Sequence, residues 1–241
     1  TDGGPRRVIV IGESAAAGMF YTPHFTPSKA LSTHLLRALP DEPFEVVDLT
    51  RNSMNAVEAV ETARAAMQLN PDYLVVFGGN NSFAGQGLSW DAPAEVRCDY
   101  VESMMQQGQK GILTTFRERV LEVTDRTLSA LSSLTESSKT KLLFAIPAVN
   151  PSWERAEPVV WLGGQRTKRW HERHASAVRA LTQQKGAQAL EAADAMLVLD
   201  EGTCPTGHRL RGKALLGLGR DQEAAEAFDR ELDCANMFEM F

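Results

Sequence analysis

The apolar positions of this chain fall into short unbroken runs separated by stretches of helical period. Val8-Ile9-Val10-Ile11 is a row of β-branched residues, and Tyr73-Leu74-Val75-Val76-Phe77 and Lys141-Leu142-Leu143-Phe144-Ala145-Ile146-Pro147 repeat the pattern farther on. Runs apolar at every position suit strands covered on both faces, as in parallel sheets. A further strand over 44–49 and helices over 29–39, 56–69 and 112–133 complete an alternation of strand and helix, the rhythm of βαβ units. The pattern predicts an α/β domain built on a doubly wound parallel sheet in three layers.

Ligands of such sheets bind beyond the carboxyl ends of the strands. There the first run delivers Gly12-Glu13-Ser14-Ala15-Ala16-Ala17-Gly18, one serine on a turn of small residues. A helix starting just after it would put Ser14 where free N–H groups and the helix dipole favour developing negative charge. The plainer reading of the same residues is an N-cap before an alanine-rich helix. The run at 73–77 ends in Gly78-Gly79-Asn80-Asn81, whose backbone and amide side chain can donate hydrogen bonds toward an oxyanion, or simply form a tight turn. These glycines lack the Gly-x-Gly-x-x-Gly spacing and the lysine of a phosphate loop.

Taken together the two motifs resemble the SGNH hydrolases, the GDSL-like esterases and lipases. Gly12-Glu13-Ser14 stands where that family has Gly-Asp-Ser, and Gly78-Gly79-Asn80-Asn81 where it has Gly-x-Asn-Asp. The resemblance implies a flavodoxin-like fold, Ser14 as nucleophile and Asn80 as oxyanion donor, with the Gly79 backbone beside it. It also implies a backbone donor in the loop after 46–49, where the family carries a glycine and this chain has Asn52-Ser53; Ser53 is the candidate. Asn81 departs from the family's aspartate.

The family's general base comes from Asp-x-x-His near its carboxyl end, and no such motif occurs in this chain. Serine is a poor nucleophile without an adjacent base. Three explanations stand: a chain cut short before that block, a base borrowed from another histidine, or an inactive relative that binds without cleaving. The start at Thr1 and the close at Phe241 favour the first as an expectation. Of the histidines, His208 is late enough to serve but opens a helical pattern, while His171 and His174 sit in a charged helical segment without metal-ligand spacing. His24 and His34 follow the nucleophile turn, His24 within reach of a pocket mouth.

Composition narrows the field further. A formal net charge of -6 argues against nucleic acid, which needs a concentrated basic surface. Three cysteines without a Cys-x-x-Cys pair indicate neither a disulfide framework nor a zinc site, and the default compartment is the cytoplasm. The chain carries no apolar run long enough to span a membrane. The expected chemistry calls for no cofactor.

Two segments look like additions. Residues 82–111, apolar in places, are positioned by sequence to form a lid over an apolar substrate, with a dimer contact or packing on the core as the alternatives. Residues 207–232 place Gly212, Ala224 and Phe228 as in a tetratricopeptide-like helical hairpin turning at Gly219-Arg220-Asp221. The loop at 148–155 offers Trp153 as a pocket wall and Arg155 as a cation. The expected organisation is a hydrolase domain over 1–200 and a helical appendage over 201–241. The expected activity is that of a serine esterase or acyl hydrolase on a small or carrier-bound acyl substrate, with acyl transfer by the same serine, or partner binding through the hairpin, as the alternatives.

Overall fold

The computed structural model describes residues 4–19, 21–79, 81, 93–147, 160 and 162–238. The chain divides into two compact units, residues 1–84 with 120–148, and residues 85–119 with 149–241.

The first unit holds a four-stranded parallel sheet. Its strands are β1 (Arg6–Gly12), β2 (Phe44–Asp48), β3 (Tyr73–Phe77) and β4 (Lys141–Ala145), in the order β2-β1-β3-β4. Helix α1 (Pro27–Ala38) lies between β1 and β2 in sequence, and α2 (Ala56–Ala66), extended by a 3-10 turn at Met67–Leu69, between β2 and β3. Since β2 branches from one side of β1 and β3 from the other, their loops part at the carboxyl end of β1, the switch point where such sheets hold ligands.

Burial follows the pattern of the runs. β1 is central and buried on both faces, from Val8 to Gly12. Ile9 and Ile11 of β1 join Leu74 and Val76 of β3 in a core covered by Ala63 and Ala66 of α2 and by Leu131. Leu131 belongs to α4 (Gln109–Glu136), whose residues from 120 onward lie in this unit. β4 is an edge strand with Leu143 and Phe144 exposed, although its sequence reads as a covered strand.

The second unit, among its described residues, is helical. It contains α3 (Ala94–Gln107), the beginning of α4, and α5 (Gly164–Thr182), α6 (Gly186–Leu199), α7 (Pro205–Gly217) and α8 (Asp221–Phe238). α5 packs on α6, α6 on α7 and α7 on α8, while α5 also meets α7. Where α7 crosses α8, a β-carbon on Gly212 would come within 2.7 Å of the Phe228 ring, so the glycine permits the close approach. Among the described residues no helix is long and apolar enough to cross a membrane.

One expectation is corrected here. No helix starts after Ser14: the chain makes a turn over 14–19, and the first helix begins only at Pro27, capped by the Thr26 hydroxyl on the Lys29 N–H. The single turn opens with the Ala17 N–H on the Glu13 carbonyl at 2.8 Å and is closed by Gly18, whose φ of 65° is incompatible with continuing a right-handed helix.

Candidate active site

The turn that carries Ser14 is set by the close approach of β1 and β3. A β-carbon on Gly12 would lie 2.1 Å from the Phe77 carbonyl oxygen and 2.5 Å from the Ala16 β-carbon, so only glycine lets the strand end here and fold back. Ser14 follows, half-buried. Among the described residues the N–H groups of Ser14, Ala15 and Ala16 donate to no backbone carbonyl, which leaves a cluster of donors at the turn's start, as at a helix amino end.

Glu13 is the residue that sequence reasoning passed over. It is buried, and its carboxylate accepts the Gly79 N–H on Oε1 and the Asn81 N–H on Oε2, each at 3.0 Å. One side chain thus fastens the loop after β3 to the nucleophile turn. The signal was available as an acidic residue inside an otherwise apolar and small-residue strand end, but its partners lie 66 and 68 positions away.

Asn81 extends the tie to a third loop. Its Nδ2 donates to the Met54 carbonyl at 3.2 Å, a bond an aspartate has no proton to make. The Arg51 N–H in turn donates to the Gly12 carbonyl at 2.9 Å. Just beyond, Asn55 caps α2 in a capping box with Glu58, and Arg51 pairs with Glu58 at 2.6 Å. Backbone groups burdened with satisfied partners hold their positions, so the loops after β1, β2 and β3 form one fastened edge.

The expected site residues are distributed over that edge. Ser14 and Gly79 are brought together through Glu13, but the Gly79 N–H is already donated to the carboxylate, so it is engaged by Glu13 and not left open for an oxyanion. Ser53 is exposed in the loop before α2 with φ of 60°, the left-handed conformation in which glycine rests most easily, at the position where the resemblance reserves a glycine. Asn80 lies outside the described residues, as do Trp153 and Arg155 and the first part of the proposed lid; residues 94–107 of that segment are α3.

Among the described residues no histidine hydrogen-bonds the Ser14 hydroxyl. His24 and His34 are exposed in the first unit. In the second unit His174 stacks on Trp170, and His208 places Nε2 2.9 Å from the Gly202 carbonyl. Burial holds both of these imidazoles below the usual histidine range. Asp200, also buried, accepts the Trp170 indole N–H at 2.7 Å, and burial pushes its carboxyl up. No group of three metal-ligating side chains occurs among the described residues.

Comparison with known proteins gives little more. No family model matches the chain, and no curated protein does. Among solved structures, AlinE4, described as an SGNH-hydrolase family esterase, is similar at 19% identity over 59% of this chain and 77% of its own, with a TM-score of 0.31. A lipase, Lip_vut3 from a goat rumen metagenome, is similar at 12% identity over 57% of this chain and 79% of its own, with a TM-score of 0.29. Scores this low carry neither a fold family nor an activity across, and the site stands on its own geometry.

Proposed function

We propose that this chain is a serine acyl hydrolase of the SGNH kind, on a three-layer framework. Ser14 attacks an ester or thioester carbonyl, and the oxyanion is met by the Asn80 amide and by backbone N–H groups at the Ser14 turn and at Ser53. The acyl-serine is then released to water, or to another alcohol in acyl transfer. The observation that carries this reading is the Glu13 carboxylate, which fastens the turn of Ser14 to the loop of Gly79 and Asn81 at the switch point of the sheet. Fastened loops hold the remaining donors, the Asn80 amide and the N–H groups of the Ser14 turn, in place, and preorganised donors supply the largest share of acyl-transfer catalysis.

Turnover further requires a base at the Ser14 hydroxyl, and Glu13 is not that base because both of its oxygens hold backbone N–H groups. The reading is tested with p-nitrophenyl esters, whose leaving group needs no protonation: a burst of p-nitrophenol stoichiometric with protein is expected, and its absence in Ser14→Ala assigns it. A burst unchanged in Ser14→Ala would refute the reading.

A second reading is favoured because among the described residues no histidine hydrogen-bonds Ser14: a protein that keeps the fold and binds without cleaving. The hairpin of α7 and α8, tetratricopeptide-like in the pairing of Gly212 with Phe228, would then be its partner surface. Under this reading Ser14→Ala changes no measurable activity, while deletion of 207–232 abolishes partner capture.

A further inference from the structure

Behind the fastened edge the first unit contains a cavity of about 310 Å³. Gly12, Glu13, Gly78 and Gly79, which frame the candidate site, are among the residues that line it. Its depth runs between α2 and α4, under the carboxyl ends of β3 and β4. Ala56 and Ala59 give the wall from α2, Val120, Leu128 and Leu131 the wall from α4, and Val76 and Phe144 the strand ends.

The chemistry of this lining is one-sided. Among the described residues that line it Glu13 is the only ionisable one, and its carboxylate is turned to the N–H groups of Gly79 and Asn81. The two threonines in the wall offer no free proton to a polar ligand, because the Thr124 hydroxyl donates to the Val120 carbonyl and that of Thr127 to the Val123 carbonyl, both at 2.8 Å. Among the described lining residues no side chain presents a free proton or a cation, so they supply nothing to hold a phosphate or a second carboxylate. An unbranched hydrocarbon meets no polar group there that it would leave unsatisfied.

We propose that this cavity is the acyl-chain site and that the substrate is an ester or thioester of a medium-length, uncharged fatty acyl group. A cavity of about 150 Å³ accepts a benzene ring, so twice that volume accepts a chain of about ten carbons. The small residues at 56 and 59 are what leave the space open: a larger side chain at either would fill it from α2. The shared lining of Gly12, Glu13, Gly78 and Gly79 lets chain and carbonyl be served together. The carbonyl lies at the switch point beside Ser14 while the chain passes Gly78 and Gly79 into the cavity.

The reaction half of this inference rests on the serine reading above, whereas the binding half does not, and the experiment separates them. Wild-type protein is assayed on p-nitrophenyl esters from acetyl to hexadecanoyl, and Ser14→Ala is titrated with 1-decanol by calorimetry. The expected result is a rise in kcat/KM of roughly tenfold for each two carbons added, up to about ten carbons, and no gain beyond. Ala59→Phe and Thr124→Leu fill the cavity from its two walls, so one folded variant suffices; either should lower the decanoyl-to-acetyl ratio at least tenfold. Saturable decanol binding by Ser14→Ala, lost in Ala59→Phe or Thr124→Leu, supports the site even if wild-type protein turns over no ester, a result that would overturn only the serine reading. Ester turnover without chain-length preference, together with no binding of decanol, overturns the cavity proposal and leaves the serine reading standing.

Discussion

Glu13 is a side chain whose two oxygens each satisfy a backbone N–H of another loop, and removing it orphans both donors. Each unsatisfied buried group costs about 1–3 kcal/mol, so Glu13→Ala should lower the unfolding free energy by about 2–4 kcal/mol in chemical denaturation, with Glu13→Gln, which keeps one acceptor oxygen, in between. Gly12 answers to a harder constraint, since a β-carbon 2.1 Å from the Phe77 oxygen has no flexible neighbour to move. Gly12→Ala is expected to cost more than about 2 kcal/mol, read by the same denaturation. Ser53 tolerates its φ of 60° at a cost that a β-branched residue would enlarge. Ser53→Gly should therefore change stability by less than about 0.5 kcal/mol, because relief of strain offsets the looser unfolded chain, while Ser53→Val should cost about 1–2 kcal/mol. Ser14 and Gly79 were legible as residues just past strand ends, where the apolar runs stop, and Ser53 only through the resemblance. The role of Glu13 was not, because a carboxylate's partners come from tertiary structure and leave no local trace.

The elements were legible in proportion to how local their causes are. β3 occupies 73–77 as its apolar run predicts, and the long helix α4 encloses the 112–133 of its periodicity. The alanines after Ser14 favour helix by propensity, yet Gly18 in the left-handed region ends the turn first. α5 was legible only as a charged helical segment around His171 and His174, and α6 was not legible. In α5 a heavily charged outer face masks a narrow inner stripe of Trp170, Ala177 and Ala180, while α6 is so rich in alanine that its periodicity is faint. Between α5–α6 and α7–α8, His208, Ala214, Leu215 and Ala227 follow His174, Ala180, Leu181 and Ala193 at one constant interval. These helices carry a pH dependence. His174 and His208 are held below the ordinary 6.5 chiefly because burial disfavours the charged ring, so the unfolded chain binds their protons more tightly. Their contribution to stability is complete above the unfolded value and lost as pH falls through the folded ones. Asp200, raised by burial, acts with the opposite sign, but it is present in both proteins of the comparison. A thermal unfolding series should show Tm falling below pH 6.5 more steeply in wild-type protein than in the variant with His174→Gln and His208→Gln.

At the scale of the molecule, a parallel sheet with order β2-β1-β3-β4 gathers three strand-end loops at one switch point, and the chain spends Glu13, Asn81 and Arg51 on fastening them. The four-stranded parallel α/β core was legible from alternation alone, because covered strands and amphipathic helices differ in period. The division into two units was not, since it depends on which helices find each other and no linker composition marks it. What the arrangement is for reduces to whether Ser14 reacts. The most direct measurement is peptide mapping by mass spectrometry after treating the full chain with an alkyl fluorophosphonate. The account predicts a single phosphonyl adduct on Ser14, formed faster with a decyl than with a methyl group and absent from Ser14→Ala. An unmodified Ser14 under conditions where the reagent labels other serines, or an adduct that persists in Ser14→Ala, would contradict it.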